Sequence, residues 1–288
     1  MSRLHALYRR LPLVRELDRL LARTERADAA SRDELRALRS AFARDFAARL
    51  RDEKAAREGP LSLHRFEHAV CSQQGEDGVL LEIFRRIGED ARTFVEVGIG
   101  DGVENNTAFL HSLGWTGAWI DAQPLPVAPP PGLRFHRSFV TRETIAALFT
   151  ELAIPLEVDL CSLDIDQNTY YVWEALVAWR PRVVVVEYNA ALPPTVDWKV
   201  TYDGARVWDG TINFGASLKA YEILGRRLGY ALVHCEISGA NAFFVRADLA
   251  GDLFLGPFDA ETHYEPPRYS LDQTPGHRRA RLDRLTAR

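Results

Sequence analysis

Apolar residues in this chain follow two rhythms. From residue 94 onward they gather in short, dense runs: Phe94-Val-Glu-Val97, Ala118-Trp-Ile120, residues 133–140, 160–166, Arg182-Val-Val-Val-Val-Glu187, 230–236 and 242–246. Runs of this length, rich in β-formers, predict strands covered on both faces, with 182–187 central because it is the most hydrophobic. Between them the spacing predicts helices at 79–87, 108–113, 142–152, 173–179 and 216–228. Strands alternating with helices predict an α/β sheet, and the last two strands, joined by Ile237-Ser-Gly-Ala-Asn241, form a closing antiparallel hairpin. Residues 190–213 carry prolines, aromatics and charges without a period, and a loop that long is usually functional.

The first 58 residues keep a different rhythm. They are rich in Arg, Ala, Leu and Glu, all good helix formers. Leu11, Val14, Leu17 and Leu21 share one side of a first helix. Ser31-Arg-Asp-Glu34 reads as a capping box opening a second, with Leu35, Leu38, Phe42, Phe46 and Leu50 as its inner face. The expected organisation is a helical extension (1–58), a main domain (59–265) and a basic polar tail (266–288). The extension is expected to pack on its own domain or on a second copy in a homo-oligomer; peripheral membrane contact is the weaker reading, because acids interleave the arginines.

Charge sharpens this division. Residues 1–57 hold 15 Lys and Arg against 9 Asp and Glu, whereas the remainder holds 21 against 31. An acidic main domain argues against a nucleic-acid partner. Three widely spaced cysteines, Cys71, Cys161 and Cys235, form neither a disulfide framework nor a zinc pattern. No stretch has the length of a membrane span, so a cytoplasmic protein is expected.

The chemistry concentrates after the first strand. Gly98, Gly100 and Gly102 alternate immediately beyond it, where glycine permits a sharp turn and close approach of a ligand. A helix and a second strand ending on Asp121 follow, completing half of a nucleotide-binding unit. The dinucleotide fingerprint wants a third glycine where Val103 stands. Asp101 and Glu104 make the turn acidic, which suits a cationic ligand better than pyrophosphate. S-adenosylmethionine carries an ammonium and a sulfonium, and its ribose needs an acceptor such as Asp121. The expected cofactor set is Glu96, Gly98, Gly100, Gly102, Asn106, Asp121 and Val140, joined by Gln74, Glu76 and Asp77 if that polar cluster reaches the cofactor rather than capping the helix after it.

Glu96-x-Gly98-x-Gly100-x-Gly102 resembles the first motif of class I S-adenosylmethionine-dependent methyltransferases. Taken with Ser72-Gln-Gln-Gly-Glu-Asp-Gly78, Gly114-Trp-Thr-Gly-Ala-Trp-Ile-Asp121, Leu163-Asp-Ile-Asp166, Val186-Glu-Tyr-Asn189, Phe214-Gly-Ala-Ser-Leu218 and Gly239-Ala-Asn-Ala-Phe-Phe-Val245, the chain resembles the FkbM-like branch over residues 70–250. The resemblance implies a Rossmann-like fold and methyl transfer, usually to oxygen, on sugars, glycans or secondary metabolites. It does not name the acceptor.

Asp164, Asp166, Glu187 and Asn189 fall at the ends of two strands expected to be neighbours, where ligands of open α/β sheets bind. Asp164 and Asp166 are the catalytic candidates; Asp164, Glu187 and Asn189 are the expected ligands of Mg²⁺ or a similar hard cation, whose ligands are oxygens. The pattern also resembles metal-dependent O-methyltransferases. Two residues apart on an extended strand, Asp164 and Asp166 would point the same way. Direct general-base action and purely structural roles stay open. His64 and His68 are spaced for one helix face, but Arg65 stands where a zinc motif wants Glu, so packing is expected rather than metal binding. His136 and His234 are expected in the core or at an edge. Two rival functions remain: an NAD-type oxidoreductase on the same half-fold, and a non-catalytic assembly protein with a degenerate site.

Overall fold

The computed structural model describes residues 29–271 together with Glu16 and Leu20. The expected first helix, with Leu11, Val14, Leu17 and Leu21, and the tail beyond 271 lie outside the described residues. A seven-stranded sheet forms the centre, in the order β3-β2-β1-β4-β5-β7-β6. Its strands are β1 (Thr93–Val97), β2 (Thr116–Asp121), β3 (Leu133–Arg137), β4 (Leu160–Leu163), β5 (Val183–Glu187), β6 (Tyr230–Cys235) and β7 (Asn241–Arg246). Strands β1 to β5 pair in parallel, whereas β7 runs antiparallel between β5 and β6. This is the expected Rossmann-like α/β sheet with its closing antiparallel hairpin.

The helices are α1 (Ala29–Glu58), α2 (Glu76–Ile87), α3 (Ala108–Ser112), α4 (Ile145–Glu151), α5 (Thr169–Ala175), α6 (Leu218–Leu228), α7 (Ala247–Ala250) and α8 (Ala260–His263). Each face of the sheet carries its own core. Tyr170, Trp173, Tyr221 and Phe149 cover one face, and Leu80, Phe84, Trp115 and Phe254 cover the other. The four valines of β5 are fully buried between them, as their uninterrupted apolar run requires.

Three expectations are corrected here. Helix α1 already runs through Ala29 and Ala30, so Ser31 lies inside it and opens nothing. Its seam is also narrower than the periodicity suggested: Leu38 is 58% exposed, and contact with the domain is made by Ala43, Ala47, Leu50 and Phe46 against Ile237 and Leu271. Alanines at the seam let the helix approach closely, so the face turns by about one position from the leucine row. Finally, His64 sits in a 3₁₀ turn, not a helix, so it shares no face with the exposed His68.

Where α1 ends, an ionic network joins it to the domain. Lys54 pairs with Glu265, Arg268 donates to Glu265 at 2.7 Å, and His64 and His234 flank the buried Glu67. Burial opposes the charge on Glu67, but hydrogen bonds from His234 and His64 outweigh it and hold the carboxyl at about 2. Burial lowers His234 to about 4.

Candidate active site

The strand ends of β1, β2 and β4 open into a cleft of about 330 Å³. Its walls include Gly98, Gly100, Asp121, Val140, Asp164 and Asp166. The glycine turn is built by backbone geometry. All three glycines have positive φ, +85° at Gly98, +58° at Gly100 and +72° at Gly102. At Gly98 a Cβ would collide with the carbonyl oxygen of Asp164, so glycine lets β1 and β4 end side by side. At Gly100 a Cβ would meet nothing within 4 Å: that side is open to a ligand. Gly102 closes the turn by donating to the Ile99 carbonyl at 2.9 Å.

Asp121 stands across from this turn at the end of β2. Its Oδ2 accepts the Gly100 N–H at 2.9 Å and its Oδ1 accepts the Gln123 N–H at 2.7 Å. The carboxylate is therefore oriented on the cleft wall with lone pairs left for further donors.

Other members of the expected cofactor set are occupied elsewhere. Glu96 is buried beneath the turn, where it accepts from Asn105 Nδ2, the Asn106 and Thr107 N–H groups and the Thr107 hydroxyl, at 2.5–3.0 Å. Burial still raises its proton affinity against those four bonds. Asn106 turns inward to donate to Ser162 at 3.0 Å. Asp77 Oδ2 accepts the N–H groups of Val70, Cys71 and Ser72 at 2.7–2.8 Å, while Ser72 Oγ accepts from Asp77 N. Glu76 accepts from the N–H groups of Gln74 and Gly75 and from Asn241 Nδ2. Glu76, Asp77, Glu96 and Asn106 thus organise loops, and neither they nor Gln74 line the cleft. The three carboxylates accept N–H groups of the segments leading into α2 and α3, residues 70–75 and 106–107.

The acidic strand ends do converge, by a route different from the expected one. Strand β4 stops at Leu163, and a 3₁₀ turn over Asp166–Asn168 follows, with Asp166 at φ +54°. The turn, not an extended strand, brings Asp166 beside Asp164. Glu187 ends the neighbouring β5, and one oxygen from each of the three carboxyls lies within 4.8 Å of the others. Burial raises Asp164 to about 7, with Asp166 adding to the shift. Burial and the two aspartates push Glu187 well above the usual carboxylate range. Glu187 Oε2 is buried without a hydrogen-bond partner among the described residues.

Asn189 does not join them. Its amide donates to the Ile212 and Phe214 carbonyls at 2.7 and 3.0 Å, tying down the 190–213 loop. Arg206, Val207 and Trp208 from that loop, with Phe139, Ser138 and Asn168, complete the cleft. Their charge and aromaticity were visible in sequence; their proximity to the strand ends was not.

Sheet order, glycine turn and strand-end acid define a Rossmann-like α/β fold with a cleft at its strand ends. No family model and no curated protein matches the chain. Among solved structures, the MycE methyltransferase of the mycinamycin pathway, described with Mg, SAH and mycinamycin VI, aligns at TM-score 0.38 and 15% identity over 58% of this chain and 49% of its own. The chain thus spans about half the length of that enzyme. An O-methyltransferase family protein from Burkholderia thailandensis aligns at 0.33 and 12% identity, over 66% and 64%. The plantazolicin methyltransferase BamL, described with SAH, aligns at 0.37 and 10% over 58% and 84%. At such values no residue role passes from them to this chain.

Proposed function

We propose that the protein is an S-adenosylmethionine-dependent O-methyltransferase of FkbM-like type, acting on a hydroxyl of a sugar, glycan or secondary metabolite with a divalent cation at the strand ends. One observation carries this reading: the open side of Gly100 and the Asp121 carboxylate share a single cleft with Asp164 and Asp166. Asp121 holds the ribose, Gly98 and Gly100 admit the cofactor close to the backbone, and Val140 contributes an apolar wall beyond Asp121.

Asp164, Asp166 and Glu187 fit a hard cation by donor chemistry, by convergence and by the partnerless Glu187 oxygen. A bound Mg²⁺ or Mn²⁺ would act as a Lewis acid and lower the pKa of the acceptor hydroxyl. The chain's own work is then to orient that hydroxyl toward the methyl group, to hold water out with Trp208 and Phe139, and to take up the released proton on a strand-end carboxylate.

A second reading has its own support. With Asp164 raised to about 7, it is matched to serve directly as general base near neutral pH. Turnover with and without EDTA separates the two. The first expects loss of activity, restoration by Mg²⁺ or Mn²⁺, and the same loss in Asp164→Asn and Glu187→Gln with S-adenosylhomocysteine still bound. Full activity in EDTA rejects the metal in favour of Asp164 as base. Calorimetric binding of NAD but not S-adenosylhomocysteine overturns both.

A further inference from the structure

A second group of metal-ligand side chains lies at the opposite edge of the sheet, outside the proposed chemistry. His64 comes from the turn after α1, Glu67 from the segment just beyond it, and His234 from edge strand β6. All three are buried, at 4%, 5% and 2% exposure. One ligand atom from each lies within 4.8 Å of the others. His64 Nδ1 is 2.7 Å from Glu67 Oε1, and His234 Nε2 is 3.2 Å from the same oxygen.

His64 Nε2 faces Glu58 Oε1 at 3.6 Å and Glu265 Oε1 at 3.7 Å, and Glu265 is itself paired with Lys54 and Arg268. His64 Nδ1, at 2.7 Å from Glu67, donates its proton to that carboxylate when no metal is bound; a metal on Glu67 would take that proton's place and leave Nε2–H facing the outer carboxylates. His234 Nε2, also buried, has that same Glu67 oxygen as its partner. His263 Nε2, buried and without a hydrogen-bond partner among the described residues, lies close enough to interact electrostatically with both histidines. Two imidazole nitrogens thus converge on one buried carboxylate oxygen, an arrangement held together either by a proton on each ring or by one metal ion in their place.

We propose that His64, Glu67 and His234 bind a zinc-class divalent cation that pins the end of α1 and its following turn to β6. Two imidazoles and a carboxylate are a donor set for zinc and its borderline neighbours, unlike the all-oxygen trio in the cleft. Ligand atoms around a tetrahedral zinc stand about 3.3 Å apart, given bonds of roughly 2.0–2.1 Å. The His234–Glu67 pair has that spacing already, and His64 reaches it by withdrawing about half an ångström. The site is structural, because its three ligands are buried and tie the turn after α1 to β6.

The test uses the full chain, stripped of metal by chelator and dialysed, then mixed with zinc and desalted. Mass-spectrometric metal analysis should find one zinc per chain in the wild type and in an Asp164→Asn/Glu187→Gln double variant. His234→Gln and Glu67→Gln should weaken zinc binding more than tenfold. Zinc at a hundredfold over Kd should raise the wild-type Tm by about 5–10 °C and leave the Tm of Glu67→Gln unmoved. Cobalt in place of zinc should give a tetrahedral ligand-field spectrum. If His234→Gln does not fold, the isosteric Glu67→Gln carries the comparison. Folded wild type that retains no zinc and whose Tm ignores it overturns the proposal, leaving a proton-bridged His–Glu–His triad. Zinc lost only in the Asp164→Asn/Glu187→Gln variant overturns it as well, by placing the ion in the cleft.

Discussion

At the scale of single residues, similar carboxyl groups have opposite tasks according to which donors surround them. Asp121 presents lone pairs to the cleft; Glu96 spends its own on four donors beneath it. A hydrogen bond to a charged group contributes roughly 1.5–3 kcal/mol, so Asp121→Ala should weaken S-adenosylhomocysteine binding about ten- to a hundredfold in titration calorimetry. Unchanged affinity in the folded variant would remove Asp121 from the site. Glu96→Ala should leave affinity hard to measure for another reason. It strands buried donors at about 1–3 kcal/mol each, so urea denaturation should show a loss of several kcal/mol. A stability within 1 kcal/mol of wild type would contradict the anchoring role.

At the scale of elements, the glycine turn separates into a packing position and a ligand position. Gly98→Ala drives a Cβ into the Asp164 carbonyl, in backbone that must part β1 from β4 to accept it. Gly100→Ala meets open space and costs only the strain of φ +58°, about 1 kcal/mol. The expected outcome is a poorly folded Gly98→Ala protein and a folded Gly100→Ala protein that binds S-adenosylhomocysteine weakly. Thermal denaturation and calorimetry check the pair, and equal Tm values would refute the division. The α1 seam gives a second contrast. Ala47 is fully buried against the domain, so Ala47→Leu should overpack it and cost about 1–3 kcal/mol, whereas Leu38→Ala, on the exposed side, should be nearly neutral in the same denaturation assay.

At the scale of the whole molecule, buried neutral histidines make stability depend on pH. His234 is lowered to about 4 and His263 to about 3, in both cases first by burial. An unfolded chain has histidines near 6.5, so between that value and the folded ones the unfolded state binds more protons. Their contribution is complete above about pH 6.5, declines as pH falls below that value, and is gone by about pH 4 for His234 and 3 for His263. Urea denaturation in chelator should therefore show a drop of about 2–3 kcal/mol per histidine from pH 7 to 4.5. A flat profile over that range would mean the rings are not held neutral. No helix among the described residues is long and apolar enough to cross a membrane.

The sequence by itself determined what depends on neighbours along the chain. Dense apolar runs specified the strands, alternate glycines the turn, and the acid ending β2 its place in the cleft, because strand burial, φ > 0 and strand-end position are all local properties. The tertiary structure alone decided where each lone pair points. Asp77 and Glu96 look as free in sequence as Asp121, yet they satisfy N–H groups up to 11 residues away. Asn189 was expected on a metal and instead anchors a loop 23–25 residues downstream. Asp166 joins Asp164 through a left-handed turn that no periodicity foreshadows. His64 meets His234 only because the turn after α1 packs beside β6; the two residues stand 170 apart in the chain. Hydrogen-bond partners are allotted by distance in space, and a polar side chain's sequence neighbours do not carry that distance.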